Sequence, residues 1–279
     1  PVKEKTKKRT NATDPINVLN FTGYNDHHSI QESTEFYKVG KLTKDIYFTM
    51  YPDKEGDVYP SHWIIPVIEH YRRIRQLRAK KLKISEKVAM KGLKMHVVTS
   101  VILRCCLMQD NIEIPVPIYV QFVNEALRRT QEKKTKDSIS VELFETYRTD
   151  SKKGIKDSLK AIIPQCYRDV EPENLVEFTG YSIFGMTRKE VMECKRLARR
   201  AWNKGDGVFP ETTSPSIIAL GAIFVILVMK GEEYDHKMFG ITKAKLRSTY
   251  ERMVKVVESA MPTSTEVFEK KKKRGASRK

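Results

Sequence analysis

The sequence predicts an all-α protein of two tandem helical bundles, and three observations lead to that prediction. The chain has 279 residues, which is enough for two modest domains and long for a single helical bundle. Apolar residues recur at three- and four-residue steps in several segments, as they do in helices. One nearly continuous apolar segment lies in each half, at 95–108 and 217–229. A helix that is apolar on every side must be enclosed by other helices.

The first half begins with a polar, basic stretch, residues 1–33, which we expect to be a flexible arm. The spacing then predicts a short helix over 35–50 and an amphipathic, basic helix that begins near Ser61. The β-branched residues of 95–108 would also suit a strand, but fourteen residues are long for one, so we predict a buried helix.

The rest of the first domain, which we place at 34–170, is less regular. A helix is expected after Pro115, followed by a polar loop or insertion at 131–140 and a second basic helix over 151–167. The acidic segment around Pro172 marks the predicted domain boundary.

The second domain, predicted at 171–262, carries clear helix-start signals. Thr187 and Glu190 are spaced as a capping box. Ser214 suits an N-cap, and Pro215 suits the first position of the long apolar helix.

A last helix is expected after a turn at Gly240, with Thr242 as its cap and Leu246, Tyr250 and Met253 facing inward. The first turn of this helix is basic. In a helix-turn-helix, side chains at that position reach base edges and phosphates in the major groove. Spacing alone is weak evidence, because helix pairs joined at a glycine are common.

The positive charge is concentrated in three places. The net charge is +17, and the two ends of the chain carry +10 of it. At the C-terminal end we expect 263–279 to be a disordered basic tail. Residues 72–94 hold ten Lys or Arg and one acid. Such a local excess is expected of a surface that binds a phosphate backbone, although a solvated helix face with solubilising tails would give the same counts. The candidate phosphate contacts are Arg72, Arg73, Arg75 and Arg78 on the first basic helix and Lys152, Lys153 and Lys156 on the second.

The sequence offers little for catalysis or metal binding. Cys105, Cys106, Cys166 and Cys194 form no C-x-x-C pair, so we expect buried thiols in a reducing compartment. No zinc-protease, P-loop or dinucleotide motif is present, and we predict neither enzymatic activity nor a cofactor. The longest apolar run is short of the ~20 residues that span a bilayer, so we expect a soluble protein without a membrane partner. We also expect the protein to be a monomer.

Three motifs in the second half resemble the core of transcription factor IIB and its archaeal relatives, which consists of two cyclin-like repeats. These motifs are FGMTRKEVMECKRLARRA, TTSPSIIALGAIFVILVMKG and GITKAKLRSTYERM, at 184–201, 212–231 and 240–253. They occur in the family's order and at its spacing. The first half is more divergent; KVAMKGLKMHVVTSVILRCCLMQDNIEIP and DSKKGIKDSLKAII can be aligned with the first repeat. The resemblance then implies an insertion at about 125–150, between these two segments. This divergence, with the basic ends, is similar to an initiation factor of a large DNA virus such as African swine fever virus.

The resemblance implies two cyclin-like bundles that clamp double-stranded promoter DNA bent by a TATA-binding protein and help to recruit RNA polymerase. The base-reading positions then fall on Ala244 and Arg247, with Lys243, Lys245 and Ser248 beside them. The family's zinc ribbon has no counterpart in this sequence, so it would lie upstream of Pro1 or be dispensable. The expected location is the nucleus, or viral factories and the virion if the protein is viral.

Two other classes of protein remain open from the residues alone. A cyclin that activates a kinase would have the same helical architecture without any role on DNA. A helical scaffold that binds nucleic acid without sequence preference would share the basic surface.

Overall fold

The computed structural model describes residues 27–52, 61–130, 138–152, 154–203, 208–232, 234–257 and 262–269. Within these ranges every regular element is helical, which confirms the all-α class. The α-helices are α1 (His27–Met50), α2 (Ser61–Leu82), α3 (Glu86–Ala89), α4 (Met95–Gln109), α5 (Val116–Thr130), α6 (Val141–Thr149), α7 (Lys156–Ile162), α8 (Val176–Phe178), α9 (Arg188–Asn203), α10 (Pro215–Lys230), α11 (Lys243–Val254) and α12 (Ser264–Glu269). Short 3₁₀ turns occupy Pro164–Tyr167 and His236–Phe239, and a π turn, Thr179–Ile183, continues α8.

The chain divides into two compact units. Unit 1 contains Pro1–Gln109 and Phe122–Cys166, and unit 2 contains Asp110–Gln121 and Tyr167–Lys279. The segment Asp110–Gln121, which we expected in the first domain, is therefore part of unit 2. There the backbone N–H of Val116 donates to Oγ of Ser216, 3.3 Å away, at the start of α10.

The core of unit 1 forms around α4, as its apolar sequence predicts. Every residue of α4 from Val97 to Met108 is buried. Helices α1 and α2 pack on it and on each other, and α6 packs on α4 as well. The amphipathic pattern of α2 is also confirmed, because its apolar stripe, from Trp63 and Ile64 to Ile74, is buried.

Unit 2 is arranged around α10, whose residues from Ile218 to Leu227 are all buried. Helices α9 and α11 both pack on it. Gly221 permits the approach of α11, since a Cβ added there would lie 2.6 Å from Cγ2 of Thr249. The predicted capping box of α9 is present: Glu190 accepts from the backbone N–H of Thr187 at 2.7 Å, and the Thr187 hydroxyl accepts in return. Ser214 precedes α10 as expected, but its side chain makes no cap hydrogen bond.

Several predicted boundaries were wrong. Helix α1 begins at His27, inside the stretch that we assigned to a flexible arm. The expected helix over 151–167 is limited to α7. Pro164, which has no backbone N–H to donate, follows the end of α7 and begins a 3₁₀ turn. The expected insertion at 125–150 contains the end of α5 and all of α6, which buries Phe144.

The four cysteines are free and buried, which confirms the expected state of the thiols. Burial raises the pKa of Cys194 to about 12. Burial and a hydrogen bond with Cys166 also raise the pKa of Cys105.

Candidate nucleic-acid interface

The turn before α11 is fixed by Gly240. Its φ of +65° lies in the left-handed region that favours glycine. A Cβ at this position would also lie 2.6 Å from the carbonyl carbon and oxygen of Pro117, so the turn packs directly on backbone within unit 2. The sequence-based expectation of a glycine turn is therefore confirmed, and the close contact with Pro117 adds a reason that the sequence did not reveal.

The element before this turn is a single 3₁₀ turn, His236–Phe239, rather than a full helix. Phe239 is buried, and its ring lies 4.8 Å from the ring of Phe184 and 5.3 Å from that of Phe224. These aromatic contacts hold the short element against the core of unit 2. The expected helix-turn-helix therefore has a single 3₁₀ turn in the place of its first helix.

The start of α11 is capped as predicted. Oγ1 of Thr242 accepts from the backbone N–H of Lys245 at 3.2 Å, which satisfies one of the otherwise unpaired donors of the first turn. Leu246, Thr249, Tyr250 and Met253 are buried, so the inward face is the expected one with Thr249 added.

The outward face of α11 carries the residues that we assigned to DNA reading. Lys243, Ala244, Lys245 and Ser248 are exposed. Arg247 is 40% exposed along its side chain, and its Nε lies 3.1 Å from Oε1 of Glu251, one turn further on. A hydrogen bond from Ser264 and the nearby Arg247 lower the pKa of Glu251. Because both partners of this ion pair face solvent, it costs little to open.

A feature that the sequence analysis missed covers one side of α11. We expected 263–279 to be a disordered tail, but Ser264–Glu269 form α12, and Phe268 is buried. Its ring lies 5.5 Å from the ring of Phe224 and 6.2 Å from that of Tyr250. The ammonium group of Lys243 donates to the carbonyl oxygen of Phe268 at 3.1 Å.

The basic face predicted on α2 is only partly available to a ligand. Arg72 and Arg73 are exposed, and the guanidinium of Arg72 lies 4.9 Å from the centre of the Phe36 ring. Arg75 is 5% exposed and forms ion pairs with Glu35 and Glu86, each at 3.4 Å. The structure therefore removes Arg75 from the interface, because its guanidinium is enclosed within unit 1.

Arg78 is also engaged within unit 1. Its Nε donates to the carbonyl oxygen of Ala89 at 3.1 Å, and one terminal nitrogen donates to that of Gly154 at 2.7 Å. Burial lowers the pKa of this guanidinium. Arg78 therefore ties α2 to two turns of unit 1, and we assign it a structural role instead of a primary phosphate contact.

The second basic group lies around the turn before α7. Lys152 is exposed and Lys156 is half-buried, whereas Lys153 lies outside the described residues. Lys152 lines a cleft of about 230 Å³ together with Arg78, Lys81 and Asp157. Lys81 and Asp157 form an ion pair across it. Among the described residues of unit 1, Arg72, Arg73, Lys152 and Lys156 thus keep their candidate role.

Other classes of site find no support in the described part of the chain. No group of three or more His, Cys, Asp or Glu residues there is arranged to hold a metal ion. None of the helices described is both long and apolar enough to cross a membrane.

The comparisons with known proteins add no family to this description. No family model, no curated protein and no solved structure matches this chain. The class is therefore defined by the fold and the site alone: a two-unit helical protein whose last long helix presents a capped, basic first turn.

Proposed function

We propose that this protein is a general transcription initiation factor of the transcription factor IIB kind, which binds double-stranded promoter DNA through α11. The observation that carries the proposal is the division of α11 into two faces. Leu246, Tyr250 and Met253 fix the helix on the core, while Lys243, Ala244 and Lys245 project from its first turn. Residues at the start of a docked helix are those that reach bases in the major groove.

Within this proposal Arg247 and Ala244 read bases. A guanidinium can hold N7 and O6 of guanine at once, which discriminates against other bases by about 1–3 kcal/mol. The ion pair with Glu251 would open for that contact. Ala244 offers a methyl group for contact with the methyl group of thymine. Lys243, Lys245 and Ser248 serve as neighbouring phosphate contacts.

The exposed cations of unit 1 add contacts that do not depend on sequence. Arg72, Arg73, Lys152 and Lys156 would bind phosphates, and each phosphate neutralised releases condensed counterions. The proposed partners are promoter DNA, a TATA-binding protein and RNA polymerase, with the protein acting as a monomer and without catalysis. A zinc ribbon, where one is used, would come from outside this sequence. The proposed location is the nucleus, or a viral factory if the protein is viral.

The first test uses duplexes selected from a random library by binding to the full chain. Arg247→Ala should lower affinity for the selected sequence by about 10-fold and relax selection at one base-pair position, as the loss of one bidentate contact requires. Lys255→Ala is the matched control, since Lys255 is an exposed cation just beyond the other end of α11. It should leave the selected sequence unchanged.

Two outcomes would replace the proposal with one of its alternatives. If Arg247→Ala weakens binding equally on every sequence, α11 contacts phosphates only and the protein is a scaffold without base preference. If the full chain shows no salt-dependent affinity for duplex DNA, the kinase-activating cyclin becomes the better description.

A further inference from the structure

A cleft of about 260 Å³ lies at the C-terminal end of α9, within unit 2. It is lined by Glu171, Pro172, Glu173, Arg199, Trp202 and Asn203. The volume is below the range of about 300–1,000 Å³ that is typical of sites for free small molecules. A cleft of this size suits one long side chain of another protein.

Trp202 supplies the aromatic surface of this cleft. Its side chain is 41% exposed, whereas its neighbours on α9, Ala198 and Ala201, are buried. Tryptophan is highly buried on average, so an exposed indole beside a cavity is informative. Tryptophan is also enriched among the residues that contribute most to binding at protein–protein interfaces. Trp202 is therefore the candidate centre of a docking site.

The polar part of the lining carries an excess of negative charge. Nε and one terminal nitrogen of Arg199 both donate to the carboxylate of Glu173, the second at 2.5 Å, so these two charges compensate each other. The hydrogen bond with Glu173 and the charges of Glu173 and Glu171 raise the pKa of Arg199. Glu171 is thus a second carboxylate beside this ion pair. The end of α9 adds the partial negative charge of its last backbone carbonyl groups.

The sign of this charge selects the class of ligand. The chain as a whole carries +17, and the surfaces that we assign to DNA are basic, but the exposed carboxylate of Glu171 repels phosphates. A cationic group gains an opposite charge at Glu171 and a cation–π contact on the indole of Trp202. The cleft therefore favours a cationic side chain of a protein over a nucleic acid.

We infer that this cleft is a docking site for a partner protein, and that an arginine side chain of the partner packs on Trp202 and pairs with Glu171. Arginine fits better than lysine, because its planar guanidinium stacks on an aromatic face and can donate two N–H groups to one carboxylate. The inference goes beyond the proposed function and does not depend on DNA binding by α11.

Peptides selected from a random library test the chemistry of the occupant. Peptides that bind the Trp202→Ala chain are removed first, and the remainder are selected on the unaltered full chain, so the recovered peptides depend on Trp202. We expect these peptides to share one arginine. Citrulline, which is neutral and has nearly the same shape, should lower the affinity about 10-fold in place of that arginine.

Glu171→Gln gives a second readout that does not remove apolar packing. Glu171 is exposed, so this variant should fold normally. It should weaken binding of the arginine peptide about 3-fold and leave binding of the citrulline peptide unchanged. Glu232→Gln is the matched control, because Glu232 is an exposed acid paired with Lys230, which also contacts Glu190 near the start of α9. It should leave the affinity of both peptides unchanged.

Three results would overturn the inference. The first is a set of recovered peptides that share an acidic or apolar residue instead of a cation. The second is equal affinity of the arginine peptide for the unaltered chain and the Glu171→Gln chain. The third is a library that yields no peptide dependent on Trp202. Each of them leaves DNA binding by α11 in place, since the comparison with Arg247→Ala tests that proposal separately.

Discussion

Replacing Gly240 by alanine should destabilise unit 2 more than replacing Gly231, although the two glycines have nearly the same backbone angle. Their φ values are +65° and +72°. An alanine in the left-handed region costs about 1–2 kcal/mol at either site. A Cβ at Gly231 meets nothing within 4 Å, so Gly231→Ala should cost only that conformational term.

Gly240→Ala adds a steric term. The new Cβ would lie 2.6 Å from the carbonyl carbon and oxygen of Pro117, about 0.8 Å inside the 3.4 Å at which ordinary contact begins. These are backbone atoms, so they cannot turn away as a side chain can. Overpacking of this kind costs about 1–3 kcal/mol. The expected total loss in the free energy of unfolding is therefore about 2–5 kcal/mol.

The assay can be confined to unit 2. The chain has two tryptophans, Trp63 in unit 1 and Trp202 in unit 2, so Trp63→Phe leaves Trp202 as the only tryptophan reporter. Urea unfolding followed by its fluorescence gives the free energy for Gly240→Ala and for Gly231→Ala in that background. Equal losses within about 0.5 kcal/mol would refute the reasoning, because the turn would then make no obligatory contact with Pro117.

Three further outcomes are expected. Arg75→Ala should lower the free energy of unfolding by about 2–4 kcal/mol, because Glu35 loses its buried partner. Arg73→Ala should change it by no more than about 0.5 kcal/mol. Thermal denaturation of both variants checks this, and a larger loss for Arg73→Ala than for Arg75→Ala would contradict it. In DNA binding the opposite order is expected. Arg73→Ala should lower the slope of log affinity against log salt concentration by about 0.9, and Arg75→Ala, measured where it is folded, should leave this slope unchanged. The raised pKa of Cys194 keeps this thiol protonated in the folded protein after it ionises in the unfolded chain. Its contribution to the free energy of unfolding is therefore complete below about pH 9 and falls by up to about 1.4 kcal/mol per pH unit as pH rises towards 12. Cys194→Ala should flatten this alkaline decline in stability, and an unaltered pH profile would contradict the assignment.

The parts of the fold that could be predicted are those determined by local sequence. Helices α4 and α10 follow from nearly continuous apolar segments, which favour buried helices in an all-α chain. The capping box at Thr187 and Glu190 and the turn at Gly240 involve residues a few positions apart, so spacing identifies them. Likewise, the inward face of α11 follows from its three- and four-residue spacing.

The parts that were missed depend on distant residues. Phe268 is a lone aromatic residue in a polar, basic stretch, and only the pocket formed by Phe224, Tyr234 and Tyr250 makes it a core residue. Similarly, Arg75 looks like its exposed neighbours in the sequence, but its buried guanidinium forms an ion pair with Glu35, forty residues earlier.

The candidate site likewise has features that local sequence predicts and features that depend on distant residues. The cap and the basic first turn of α11 could be predicted, because each is a local pattern. The removal of Arg75 and Arg78 from the interface could not, since it depends on ion pairs and backbone carbonyls elsewhere in unit 1. The base contacts proposed for α11 depend on a partner molecule, so they are inferred from resemblance and chemistry.

The most direct test of the central claim is a footprint of the full chain on promoter DNA, recorded with and without a TATA-binding protein. We expect a protected region that includes the sequence selected by α11, that becomes stronger with the TATA-binding protein, and that Arg247→Ala weakens at one base-pair position. Absence of protection under both conditions would contradict the assignment of this protein to transcription initiation.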